Sequence, residues 1–189
     1  MRRSGSPSRA HAMPHPVNTA RRRALVCAML AIWVPAHANA WRELRWDELS
    51  PKGWDPSGAT KGLPPNLDRL DDTDPQAKAA LDNMRKFLDE APVLQSFNGQ
   101  QVRLPGYLVP IKAGKAGVSE FLLVPYFGAC VHSPPPPANQ IIYCKSDKPL
   151  GGLRVMEAVW VSGRLDAART ESPMGVSGYR MAVAKAERQ

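Results

Sequence analysis

From Trp41 onward proline takes 15 of 149 positions, about twice its usual share of roughly 5%. Each proline fixes φ and removes a backbone donor, so few long helices are expected. Short strands between Gly and Pro turns are what such a sequence can form. Candidates are Val93–Phe97, Gln101–Leu104 running into Gly106–Ile111, Glu120–Val124, Gln140–Tyr143, Arg154–Ser162 and Gly178–Ala184. Asn98-Gly99 between two apolar runs is a hairpin signal, since both central positions of a type I′ turn need positive φ.

One stretch escapes the proline restriction. Asp74-Pro75 is a helix start, with Asp as N-cap and Pro at the first helical position. Ala77, Ala80, Leu81, Met84, Phe87 and Leu88 then recur at steps of three and four, which predicts one amphipathic helix to about residue 90 whose apolar stripe covers a sheet. The fold class expected is mainly β, a small closed antiparallel barrel with a single α-helix. The barrel domain is placed at 66–185, with the tail from Lys185 to Gln189 frayed. Before it, residues 41–65 hold Trp41, Trp46 and Trp54 beside a Gly/Pro-rich loop, too apolar for a solvated linker, and are expected to pack on the domain.

The formal net charge of +8 belongs mostly to the front of the chain. Residues 1–40 carry six Arg and no acidic residue, which leaves 19 Lys/Arg against 17 Asp/Glu for the rest, a balance of +2. Arg21-Arg22-Arg23, the apolar run Ala24–Val34 and the small-residue triplets ending at Ala38 and Ala40 form the three parts of a secretory signal peptide. Cleavage is expected after Ala38 or Ala40, giving a soluble periplasmic protein. The apolar run is 11 residues, well short of the roughly 20 that span a bilayer, so no stable membrane anchor is expected after cleavage. A near-neutral remainder offers no clustered cations with interleaved aromatics, so no nucleic-acid partner is expected. Oligomeric state is not legible.

Removal of the leader would leave two cysteines, Cys130 and Cys144, and one histidine, His132. In an extended chain Cys130 and His132 project from one face. Three readings of this cluster stay open. Cys130, His132 and Cys144 can supply soft ligands for zinc or copper, three donors with one position left open. Cys130 can be a reactive thiol activated by His132 and resolved by Cys144, the pattern of a thiol-disulfide or metal-dependent redox protein. Or Cys130 and Cys144 can form a structural disulfide whose 13-residue loop contributes about 3 kcal/mol in the chain-entropy picture. Between them Pro134, Pro135, Pro136 and Pro137 favour a polyproline II rod, which with Asn139 and Gln140 is a candidate partner-binding loop. Phosphate loops, dinucleotide fingerprints, nucleophile elbows and HExxH motifs do not occur, and no catalytic residues are assigned.

The run YFGACVHSPPPPANQIIY, preceded by LPGYLVPIK and followed by VWVSGRL and GYRM, resembles the bacterial family known as domain of unknown function 3299, over about residues 41–185. The resemblance implies an exported protein with an oligonucleotide/oligosaccharide-binding-like barrel. It also implies an accessory role in handling zinc or a related metal beside an ABC transporter, the transport system being the partner. Cys144 departs from the family pattern.

Overall fold

The computed structural model describes residues 41–189 apart from Asp72 and residues 130–135, with Asp68 described by its backbone alone. The leader, including Ala38 and Ala40, lies outside the described residues.

The elements in chain order are β1 (Arg42–Glu43), α1 (Pro75–Asp89), β2 (Gln100–Gly114), β3 (Gly117–Val124), β4 (Ile142–Leu150), β5 (Ala158–Asp166), β6 (Thr170–Ser172), β7 (Gly175–Ser177) and β8 (Tyr179–Arg188), with short 3-10 turns between them. Strands β2, β3, β4, β8 and β5 are neighbours in that order, and β5 pairs back onto β2, so the sheet closes into a five-stranded barrel. All pairings around the barrel are antiparallel except β4 with β8, which run parallel. This is the connectivity of an OB-like barrel, and the mainly β class with one helix is what the sequence predicts.

Closure depends on β2 serving two partners. Its first half, Gln100–Tyr107, pairs with β5, and its second half, Tyr107–Gly114, pairs with β3. The hand-over falls at Tyr107, and at Gly106 just before it a Cβ would sit 2.8 Å from the Leu123 side chain and 2.9 Å from the Val124 carbonyl. Only glycine lets the two strands approach so closely at this bend. The continuous run of Gln101–Leu104 into Gly106–Ile111 is as the sequence predicts.

Alternation sorts the side chains. Phe121 and Leu123, Ile142 and Cys144, Val159 and Val161, and Tyr179 and Met181 face a core fed by all five strands. Leu122, Val124, Ile141 and Val109 face outward and form a second, smaller apolar cluster with Ala129. The chain itself covers this outer cluster, with Tyr107, Ile111, Tyr143 and Met156 packed against it.

Four expectations are corrected. The hairpin across Asn98-Gly99 does not form: Gln95–Phe97 is a 3-10 turn, and Gly99, at φ 75°, starts a strand whose partner is β5. Asn98, at φ −56°, does not take the positive φ of a type I′ turn, and Gly99 N–H donates to Leu165 O at 2.9 Å while Asn98 Oδ1 accepts from Ala167 N at 2.6 Å, so the distant strand wins the pairing. Phe97 then plugs the barrel instead of lying on a sheet, its ring edge-on to Tyr179. The tail is not frayed, because β8 runs to Arg188 against Val159. The antiparallel rule breaks at the β4–β8 pair.

The helix is the fourth. Asp74 caps it, accepting from Gln76 N–H at 2.7 Å, as the sequence predicts. It packs chiefly on the 3-10 turn Pro56–Thr60, with further contact to β7, rather than across the barrel sheet. Phe87 stacks on Trp54 at 6.1 Å, and the predicted stripe is only partly covered, Leu81 staying 44% and Phe87 37% exposed. In the Trp-rich segment 41–65, Leu44 and Leu49 lie in the main core.

Candidate functional site

The segment from Pro125 to Gln140 leaves the barrel at the end of β3 and returns at the start of β4. Cys130, His132, Pro134 and Pro135 fall outside the described residues, so the structure speaks to what flanks them. On the N-terminal side Ala129 is fully buried on the outer cluster, against Val109, Leu122, Val124 and Ile141. Gly128 before it takes φ 79°, the left-handed conformation that turns the chain down onto that face.

On the C-terminal side Pro136, Ala138 and Asn139 are buried and residues 138–140 form a 3-10 turn. The two amides proposed as partner contacts point inward. Asn139 Nδ2 donates to Pro92 O at 3.1 Å, joining the turn to the chain that follows α1. Gln140 Nε2 donates to Trp46 O at 2.8 Å and Ser50 Oγ at 3.0 Å, joining it to the N-terminal segment. Gly178 N–H donates to Ala138 O from the start of β8. These amides fix where the loop returns. Asn139 Oδ1 is buried and finds no hydrogen-bond partner.

Cys144 is a free thiol with no exposed surface, on the inner face of β4 between Phe121 and Met181. Burial among apolar side chains pushes its pKa far above the usual thiol range. Both a metal thiolate and a resolving thiolate require the charged form. The described flank of the loop, Ala129, is on the outside of the sheet whose inside Cys144 occupies. Cys144 thus lies on the inner face of β4, apart from the described flank of the loop. Among the described residues no group of three or more His, Cys, Asp or Glu side chains is placed to hold a metal.

What gathers around the loop is aromatic. Phe127 is 70% exposed and meets Tyr107 edge-on, ring centroids 5.9 Å apart. Tyr126 beside it is exposed, and Tyr107 lies against the outer cluster together with Met156. Met156 holds φ 59°, a conformation that non-glycine residues adopt rarely. Its N–H donates to Leu108 O at 2.8 Å, which fixes Met156 against the cluster while the adjacent Val155 stays exposed. Trp46, Pro105, Gly106, Tyr107, Pro125 and Gln189 line a cleft of about 220 Å³ next to this ridge. Trp46 Nε1 donates to Pro105 O at 2.7 Å and thereby sets one wall.

Further along the same outer face, Tyr143 donates its hydroxyl to Glu120 Oε2 at 2.5 Å. That bond, helped by Lys112 and Lys145, holds the Glu120 carboxyl below its ordinary pKa, and the same bond with desolvation raises Tyr143. Sequence reasoning missed this pair. Glu120, Tyr143 and Lys112 belong to three strands, and only their register brings them together.

Residues 46–188 match the model of a family described as protein of unknown function (DUF3299). A DUF3299 family protein from Pseudomonas aeruginosa PAO1, known by its crystal structure, is 34% identical and superposes with a TM-score of 0.60, covering 79% of this chain and 97% of its own. A small single-stranded DNA-binding protein from Streptomyces coelicolor aligns at a TM-score of 0.31 with 15% identity, over 49% of this chain and 95% of its own, too distant to bear on fold or function. No match was found among the curated proteins. With the family model spanning the barrel from Trp46 to Arg188, and a relative of the same family sharing a third of its residues, this chain belongs to the DUF3299 family.

Proposed function

We propose that this chain is an exported, non-catalytic binding protein of the bacterial periplasm, whose binding surface is the outer face of β2, β3 and β4 together with the rim of the 125–140 loop. The observation that carries the reading is the exposed aromatic rim, Phe127 at 70% exposure with Tyr126 beside it, at the edge of the outer apolar cluster. Tyr107 supports the Phe127 ring edge-on, centroids 5.9 Å apart. A ring held by a strand residue, as Tyr107 of β2 holds Phe127, has a lowered ordering cost on binding.

Hydrogen exchange tests it. The exported protein is compared within intact envelopes and after purification; slower exchange in the envelope over 107–111 and 121–127 is expected. Equal exchange in both settings removes the reading.

A second reading assigns the loop a soft-metal role, zinc or copper, as an accessory to a periplasmic metal-transport system. It is favoured by the amide anchors at Asn139 and Gln140, which hold the chain just beyond the Cys130-x-His132 pair. Two donors would come from this chain and the rest from a partner or water, Cys144 taking no part. Native mass spectrometry of the exported protein with added zinc tests it: stoichiometric metal lost in Cys130→Ala and His132→Ala is expected, and equal uptake by the variants removes it.

A further inference from the structure

The charge of the mature chain is not evenly spread. Residues 41–97 hold 8 Lys/Arg against 11 Asp/Glu, whereas residues 98–189, the barrel, hold 11 against 6, a balance of +5. Part of this excess converges on the outer face of β3 and β4. Lys112 and Lys145 are both register partners of Glu120, one from each side, and Arg180 is the register partner of Tyr143. Lys112, Lys145 and Arg180 are exposed. Arg180 is aimed by a hydrogen bond to Thr170 Oγ1 at 3.0 Å on the β6–β7 hairpin. Asp166 is the register partner of Arg180 on its other side, and it pairs with Arg164 at 3.3 Å.

At the centre of these cations is the Tyr143–Glu120 pair, whose ring is half-buried against the outer apolar cluster. A carboxylate among three cations is a poor floor for a polyphosphate, which it would repel. It suits a ligand that brings hydroxyls for the carboxylate to accept and anionic groups for the cations to hold, with a weakly polar ring face to lie on Tyr143. One half-buried aromatic side chain also differs from the successive stacking platforms that single-stranded nucleic acid uses.

We propose that the outer face of β3 and β4 binds an acidic saccharide, with Lys112, Lys145 and Arg180 holding its carboxylate or phosphate groups, Glu120 accepting from its hydroxyls, and Tyr143 supporting a sugar ring. Small β-barrels of this topology present the corresponding strands to oligosaccharides. The inference rests on the binding-protein reading above and gives that face its ligand class.

Calorimetric titration of the exported protein with a galacturonate trimer tests it, with maltotriose, glucose 1-phosphate and a thymidine hexanucleotide as comparators. The expected result is binding of the uronate that weakens as salt rises, at least tenfold weaker binding of maltotriose, and about tenfold loss in Lys145→Gln/Arg180→Gln with an unchanged circular dichroism spectrum. Binding of glucose 1-phosphate at this face assigns the recognised anion to phosphate as well as carboxylate and supports the same site. Absence of uronate and sugar phosphate binding at millimolar concentration, unchanged affinity in the double variant, or tighter binding of the hexanucleotide than of the uronate would each overturn it. A failed titration with envelope protection of 121–127 retained removes the ligand class alone, while loss of that protection removes the binding-protein reading as well.

Discussion

The Tyr179 hydroxyl donates to the Leu49 carbonyl at 2.8 Å and accepts from the Leu94 N–H at 2.8 Å, with no surface of the residue exposed. One buried phenol thus joins β8, the Trp-rich N-terminal segment and the chain after α1, across separations of 130 and 85 residues. Tyr179→Phe keeps the ring and leaves a buried carbonyl and a part-buried N–H unpaired, each such loss costing about 1–3 kcal/mol. We expect destabilisation of about 2–4 kcal/mol in urea with an unchanged barrel, checked by equilibrium unfolding and circular dichroism. A change below about 0.5 kcal/mol would mean that water replaces the phenol freely and that the N-terminal segment is not held by this residue.

Cys144 is enclosed by Phe121 and Met181 on the inner face, so its reactivity is set by burial. Alkylation by iodoacetamide is expected to miss Cys144 in the native protein and to modify it only after unfolding. Cys144→Ala removes one buried sulfur and should cost about 1 kcal/mol by comparison with other small core truncations, while leaving any zinc uptake at Cys130 and His132 intact. Rapid native labelling at Cys144, read by peptide mapping, would contradict the enclosed position and restore it as a ligand or resolving thiol.

Gln140 ties the end of the proline-rich loop to the N-terminal segment through Trp46 and Ser50. Gln140→Ala should destabilise the fold by about 1–2 kcal/mol and raise amide exchange over 46–50 more than over the barrel strands. Uniform exchange across both would show that the N-terminal segment is held elsewhere.

The sequence was legible where physics is local. Asp74-Pro75 announces α1, and β3 is visible in the apolar run Phe121 to Val124, but the identity of the strand opposite Asn98-Gly99 is not. A turn signal says that the chain reverses; it does not say that Leu165, 66 residues away, takes the Gly99 N–H. The helix stripe was read correctly as apolar and wrongly as sheet-facing, because periodicity reports a face and not what covers it. Cys130, His132 and Cys144 look alike as sulfur and imidazole ligands in a linear reading, yet alternation on β4 turns Cys144 inward, the parity being set by where β4 joins β3. Asn139 and Gln140, chosen for their place beside the prolines, owe their positions to internal hydrogen bonds that only tertiary structure creates.

The Glu120 carboxyl provides a pH-dependent readout of the outer face. Its pKa is lowered first by the Tyr143 hydroxyl and then by Lys112 and Lys145 against a desolvation that raises it. A carboxyl whose folded pKa lies below its unfolded value of about 4.3 contributes stability that is present above that value and lost as pH falls through the folded pKa. The bond should therefore survive neutral and mildly acidic conditions and break only below the ordinary glutamate range. In Tyr143→Phe the largest cause of the shift is gone, so the Glu120 titration should move upward toward the ordinary value and the acid-side stability gain should shrink. Carbon-detected NMR titration of the Glu120 carboxyl in both proteins checks this, and an identical midpoint in the two would mean that the lysines alone set the charge of this face.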